Sequence, residues 1–135
     1  MDFTVTRFDH IVINCTNVDV TAAWYSRVLG MRVTKFGPHN RTALEFGNQK
    51  INLRPVDAST DADWASAAHA TAGSDDLCFV TDAAPEVVKA HLVACDVEIT
   101  NGPVTKVGAL GDMISHYCLD PDGNLIEISN YVDRC

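Results

Sequence analysis

The alternation of apolar and polar residues predicts the same run of elements twice. Phe8-Asp9-His10-Ile11-Val12-Ile13-Asn14 is rich in β-branched residues and leads into a polar turn, Thr16-Asn17-Val18-Asp19, so it reads as a strand. A helix follows over about 20–29, and Gly30 stands where a C-terminal cap belongs. Arg32 to Phe36 reads as a strand and Gly37 to Asn40 as a loop. Thr42 to Phe46 is a strand, Gly47-Asn48-Gln49 a hairpin turn and Lys50 to Leu53 the return strand. The second pass starts with a strand at Asp76 to Val80 and a helix over 85–94, with Pro85 in its first turn. Val97 to Ile99 predicts a short strand, Gly102 to Gly111 a loop and Ile114 to Leu119 a strand. Asp120-Pro121-Asp122-Gly123 is a turn, and Leu125 to Ile128 the return strand.

Strand, helix and three strands, repeated, give an α+β fold of two βαβββ modules over about 6–56 and 75–131. Residues 57–74 are rich in Ala, Ser, Thr and Asp and read as a linker, with a helical turn around Trp64 to Ala68. One module alone leaves a sheet face open, so two modules are expected to enclose it within a single domain spanning 1–135.

Strand side chains alternate between faces. Ile11 and Ile13 suit the face under the helix, which leaves His10, Val12 and Asn14 on the other; Leu77 and Phe79 play the same part in the second module. The return strands match Asn52 with Glu127. Four equivalent polar positions emerge, at His10, Asn52, Asp76 and Glu127. Polar groups in a buried sheet cost free energy unless they are paired or ligated, so these four are the candidates for chemistry.

Composition narrows the function. The chain has 135 residues and net charge −8, from 18 acidic and 10 basic residues, which argues against nucleic acid as a partner. The apolar runs are too short to span a membrane. Met1-Asp2-Phe3-Thr4 shows no signal region, so a cytoplasmic location is expected, with Cys15, Cys78, Cys95, Cys118 and Cys135 as reduced thiols. Cys78 is expected to be a small buried hydrophobe, Trp24 a core residue, Trp64 a candidate cap for the site, and His39, His69 and His91 exposed.

At these residues the chain resembles the vicinal oxygen chelate superfamily, which includes glyoxalase I, bleomycin-resistance proteins, fosfomycin-resistance proteins and extradiol dioxygenases. Asp120-Pro121-Asp122-Gly123-Asn124-Leu125-Ile126-Glu127 is similar to the family's closing hairpin with its Glu ligand, and Phe8-Asp9-His10-Ile11-Val12 to its opening strand with a His ligand. Ala23-Trp24-Tyr25 through Leu29-Gly30-Met31 is similar to the first helix and its exit. His91 to Val97, Gly102-Pro103-Val104 and Ile126 to Tyr131 most resemble the glyoxalase domain-containing protein 5 group.

The resemblance implies a cup-shaped mixed sheet around a divalent metal ion, Ni, Zn, Mn, Co or Fe, that polarises vicinal oxygens of a small substrate. His10, Glu127 and Asp76 are the implied ligands, with Glu127 or Asp76 moving a proton. Departures from the family leave a metal-free site open too. Position 76 is commonly His in members with a full metal site, position 52 is Glu in glyoxalase I, and Arg54 stands where the most similar group has His. Asp76 is therefore open as a ligand, a base or an ion-pair partner of Arg54; a one-residue slip would turn Asp75 inward instead. Arg54 either pairs with Glu127 or Asp76, binds an anionic substrate group, or lies outside the pocket. Asn52 and Tyr117 are substrate-binding candidates, with His116 packed or solvated.

Two functions follow from the resemblance: a metal-dependent lyase or isomerase of the lactoylglutathione lyase type, or a non-catalytic drug-binding protein of the bleomycin-resistance type. Fosfomycin-type transfer fits an acidic chain poorly, and Asp76 with Arg54 breaks the ligand set of an extradiol dioxygenase. A homodimer is implied by the same resemblance.

Overall fold

The computed structural model describes residues 2–58 and 64–132. The chain forms two compact units, Met1–Thr71 and Ala72–Cys135. Cys135 and residues 59–63 of the expected linker lie outside the described residues.

The first unit contains β1 (His10–Cys15), α1 (Val18–Leu29), β2 (Arg32–Phe36), β3 (Arg41–Phe46) and β4 (Gln49–Pro55). Its sheet runs β1-β4-β3-β2, with β1 parallel to β4 and the other pairs antiparallel. The second unit repeats this with β5 (Asp76–Val80), α2 (Pro85–Ala94), β6 (Asn101–Gly108), β7 (Gly111–Leu119) and β8 (Leu125–Tyr131), in the order β5-β8-β7-β6. The expected α+β pair of βαβββ modules is what the chain forms.

Each helix covers one face of its own sheet. In α1, Thr21, Ala22, Tyr25 and Val28 recur at helical spacing and are buried, and the helix packs on β2, β3 and β4. Beneath it Ile13, Leu44, Ile51 and Leu53 lose essentially all exposure. Each such side chain contributes roughly 1.5–3 kcal/mol of transfer free energy. Tyr25 rather than Trp24 is the fully buried aromatic of this helix; Trp24 is half-buried and meets Tyr25 edge-on. Asn17 accepts from the Val20 N–H at the helix start. Gly30 ends it in the left-handed region, at φ 69°, which glycine enters without penalty. In the second unit α2 places Val88 and Leu92 over β7 and β8.

Two expectations fail around β6. Residues 97–100 are not a strand, and the expected loop at Gly102–Gly111 contains one. Gly and Pro read as chain punctuation, but β6 is an edge strand, where proline's missing donor faces outward. The β6–β7 register shifts between Asn101 and Val104, which absorbs Gly102-Pro103 as an irregularity. Gly102 is required there: its φ is +113°, and a Cβ would stand 2.5 Å from the Ser115 carbonyl oxygen. Of the expected helical turn over Trp64 to Ala68, Trp64 is in 3-10 conformation and residues 65–67 carry no regular structure.

Candidate functional site

The face of each sheet turned away from its helix carries the polar positions. In the first unit, alternation puts His10, Val12 and Asn14 on that face of β1, and the parallel register sets Lys50, Asn52 and Arg54 of β4 beside them. His10 is partly exposed, with 43% of its side chain accessible. Its Nδ1 lies 2.8 Å from Asp9 Oδ2. Asn52 sits between Val12 and Ala43, and among the described residues its buried Oδ1 meets no hydrogen-bond donor.

Arg54 is 1% exposed. Its guanidinium donates to Asn14 Oδ1 at 3.1 Å and to the carbonyls of Ala58 at 2.9 Å and Pro55 at 3.5 Å. It is thus turned into its own unit, tying the end of β4 to β1 and to the turn beyond. Trp64 also belongs to this unit, half-buried, with the Arg41 guanidinium 4.0 Å above its ring. Lys50 stands 3.9 Å over the Phe36 ring. Cations on aromatic rings therefore mark this face.

The second unit presents different chemistry at the matching positions. Asp76, Cys78 and Val80 lie on the exposed face of β5, as alternation requires; Asp75 instead joins the β8 turn through Asn124 and Leu125. Glu127 pairs with Cys78 on one side and Tyr117 on the other. Its Oε2 accepts from Ser115 Oγ at 2.7 Å and from Ser129 Oγ at 3.3 Å. The two serine oxygens are 2.7 Å apart, and Cys78 Sγ lies 3.3 Å from Ser129 Oγ. Cys78 is therefore an exposed, hydrogen-bonded thiol, not the buried hydrophobe expected.

Burial first, then the nearby Glu127 carboxylate, pushes the Tyr117 hydroxyl above its ordinary range. Burial does the same to Cys78, with Glu127 adding to it against the Ser129 hydrogen bond. At neutral pH both groups keep their protons, so Glu127 sits among O–H and S–H donors. His116 points the other way, 1% exposed under α2. Cys118 is likewise buried on the helix side, its thiol pushed up to about 11 by burial and by Asp120, and chemically quiet. His39, His69 and His91 are exposed.

Sequence reasoning missed Ser115, Ser129 and Asp9. The signal for the serines was present: Ser129 lies two residues beyond Glu127, and Ser115 two before Tyr117, both on the same face by alternation. Serine carried too little identity of its own to stand out.

Within either unit, no three His, Cys, Asp or Glu side chains among the described residues form a group that could hold a metal ion. The individual donors have the right chemistry for a divalent cation: an imidazole tied at Nδ1, an orphaned amide oxygen at Asn52, and a carboxylate fixed through one of its oxygens.

A profile of the Glyoxalase/Bleomycin resistance protein/Dioxygenase superfamily matches residues 7–128. The chain belongs to that superfamily. Within it, the chain is 41% identical over 128 residues to the virulence protein STM3117 of Salmonella typhimurium, covering 95% of this chain and 86% of that one. It is 43% identical over 129 residues to the glyoxalase domain-containing protein RDO1 of Mycosarcoma maydis, covering 96% of this chain and 70% of that one. An integron cassette protein from the mobile metagenome of Vibrio cholerae superposes with a TM-score of 0.92 at 39% identity, over 98% of this chain and all of the other. Two further solved structures share the fold at lower identity. One is a lactoylglutathione lyase from Agrobacterium tumefaciens, with TM-score 0.72 at 21% identity over 94% of this chain and 95% of that one. The other is the antibiotic-binding protein TnmS3 from Streptomyces, with TM-score 0.73 at 16% identity over 96% and 99%.

Proposed function

We propose that this superfamily chain is a glyoxalase-like lyase or isomerase acting on a small substrate with vicinal oxygens, with Glu127 as the group that moves the proton. The observation that carries this reading is the setting of Glu127. Two buried serine hydroxyls hold Oε2, and Tyr117 and Cys78 are further hydrogen-bond neighbours of the same carboxylate, so it is fixed in orientation as a group that takes a proton from carbon must be. Tyr117, opposite in register, kept protonated and hydrogen-bonded to Glu127, is the proposed donor to a substrate oxygen that gains charge once substrate takes the place of that bond. Asp76 adds a second carboxylate on this face. The superfamily resemblance offers His10 of the first unit, and Asp76 and Glu127 of the second, as the ligands for a divalent ion. When bound, such an ion supplies Lewis-acid polarisation of the substrate oxygens. Arg54 donates to Asn14, Pro55 and Ala58 of its own unit, and no step is assigned to it.

The test is metal analysis of freshly purified protein beside a Ni(II), Zn(II) or Mn(II) titration. The expected result is near-stoichiometric divalent metal that His10→Ala or Glu127→Gln removes. Metal-free protein that stays metal-free on titration sinks the metal-dependent form of the proposal.

A second reading is sequestration of a small molecule without turnover. It is favoured by the neutral Asn52 at the position equivalent to Glu127. A ligand-dependent rise in Tm with no chemical change in the ligand would establish it.

A further inference from the structure

The four polar positions do not account for Asp9. Consecutive strand residues point to opposite faces, so an Asp directly before a strand His would ordinarily turn away from it. Asp9 escapes that rule because β1 begins only at His10, and residues 2–9 carry no regular structure. Its carboxylate returns to the imidazole, with Oδ2 at 2.8 Å from Nδ1. Arg7 Nη2 lies 4.0 Å from Asp9 Oδ1, on the oxygen that His10 does not use. An aspartate carboxylate at neutral pH only accepts, so Nδ1 is the nitrogen that carries hydrogen.

We infer that Asp9 is a positioning residue for His10: it fixes the imidazole as the Nδ1–H tautomer and so presents the Nε2 lone pair as the acceptor for a proton or a divalent cation. A neutral imidazole has one donor and one acceptor nitrogen, so committing Nδ1 commits Nε2. A carboxylate behind a ligating imidazole also raises its basicity and restricts its rotation. This inference deepens the proposed function and rests on its reading of His10 as a site residue. Asp9 itself touches neither substrate nor ion.

The deciding experiment is a long-range proton–nitrogen correlation spectrum of the metal-free protein at about pH 8.5, well above the ordinary histidine range. His10→Gln identifies the resonances. The expected wild-type pattern is a protonated Nδ1 and a bare Nε2. Asp9→Ala should release the ring to the Nε2–H form that unrestrained imidazole favours. Asp9→Asn should keep part of the original pattern, because its amide oxygen still accepts. A wild-type Nε2–H tautomer, or an unchanged tautomer in Asp9→Ala, overturns the inference; a merely structural Asp9 would alter Tm and leave the tautomer alone. In a second arm, Asp9→Ala should weaken Ni(II) binding roughly tenfold, with His10→Ala as the zero point. Equal Ni(II) affinity in Asp9→Ala and wild type counts against the inference. Wild-type protein that takes up no ion refutes the metal-dependent function instead, and leaves the spectrum to decide Asp9.

Discussion

The two units share topology and register, yet equivalent positions do different work. His10 and Lys50 stand at the start of their parallel strand pair as Asp76 and Leu125 do in the other unit, so Asn52 answers to Glu127 and Arg54 to Ser129. Arg54 holds its own unit together, through Asn14 and two backbone carbonyls. Ser129 instead serves the neighbouring carboxylate. The exposed sheet face of the first unit carries cations resting on aromatic rings, and that of the second carries carboxylates among hydroxyl and thiol donors. A duplicated frame thus lets one copy give a position to the fold while the other gives it to the site.

The strongest way to break that contrast is to shorten both residues. Arg54→Ala leaves a cavity and strips donors from Asn14 and the two carbonyls, and should cost about 3 kcal/mol. In a chain of this size that is a fall in Tm of roughly 10 °C. Ser129→Ala should cost about 1 kcal/mol, because Ser115 still donates to Glu127. Denaturation curves that show equal losses would mean that the two positions play the same part after all.

Changing Glu127 separates site from fold more finely. Glu127→Gln keeps the shape and an acceptor oxygen for the serine hydroxyls, so stability should move by less than about 1 kcal/mol. Under the proposed metal-dependent function, divalent-metal affinity, read by calorimetry, should drop at least about tenfold. A variant that unfolds instead would place Glu127 on the side of Arg54.

The repeat, the helices and the outward positions were all legible in the sequence, because apolar alternation and Gly30 act locally. The β6 edge was not: Gly102 and Pro103 look alike in a loop and in an irregular edge strand, and only the pairing with β7 tells them apart. In the site, His10 and Glu127 stood out because imidazole and carboxylate are out of place in strands. Arg54 was open between three roles, since a guanidinium fits an ion pair, a ligand or a carbonyl cluster equally well. The carbonyls it chose belong to Pro55 and Ala58, whose backbone direction no side-chain pattern encodes.

His116 and Thr42 offer a comparison on the helix-facing side. The pairings of Ala43 with Asn52 and of Tyr117 with Glu127 make Thr42 and His116 equivalent. Thr42 accepts from Lys35 Nζ at 2.7 Å, whereas both ring nitrogens of His116 are buried without a partner among the described residues. Burial, and after it Lys89, holds the folded imidazole below its ordinary range. The unfolded chain takes up its proton near pH 6.5. The stability contributed by neutral His116 is therefore whole above that pH and is lost as pH falls through the lower folded value. His116→Leu should match or exceed wild type by up to about 1 kcal/mol at pH 8, and its advantage should widen at pH 5. Urea midpoints at the two pH values measure this; parallel curves would show that His116 does not set the acid sensitivity.

The smallest contrast lies at the helix starts. Asn17 caps α1 through the Val20 N–H at 3.0 Å, whereas Ala84 begins α2 with no side-chain hydrogen bond and leaves Pro85 to set the first turn. Asn17→Ala should cost about 1 kcal/mol. The backbone at Ala84 is already extended, at φ −60° and ψ 153°, so Ala84→Ser needs no rearrangement before its hydroxyl can reach toward the Val87 or Glu86 N–H. Val87 N–H already bonds the Ala84 carbonyl, which makes the Glu86 N–H the more profitable target and limits the gain to about 0.5 kcal/mol. Hydrogen exchange at the first turn of α2 should slow in Ala84→Ser and stay unchanged in α1. Slowing in both helices would mean that the two units share one unfolding step, and that the caps differ without consequence.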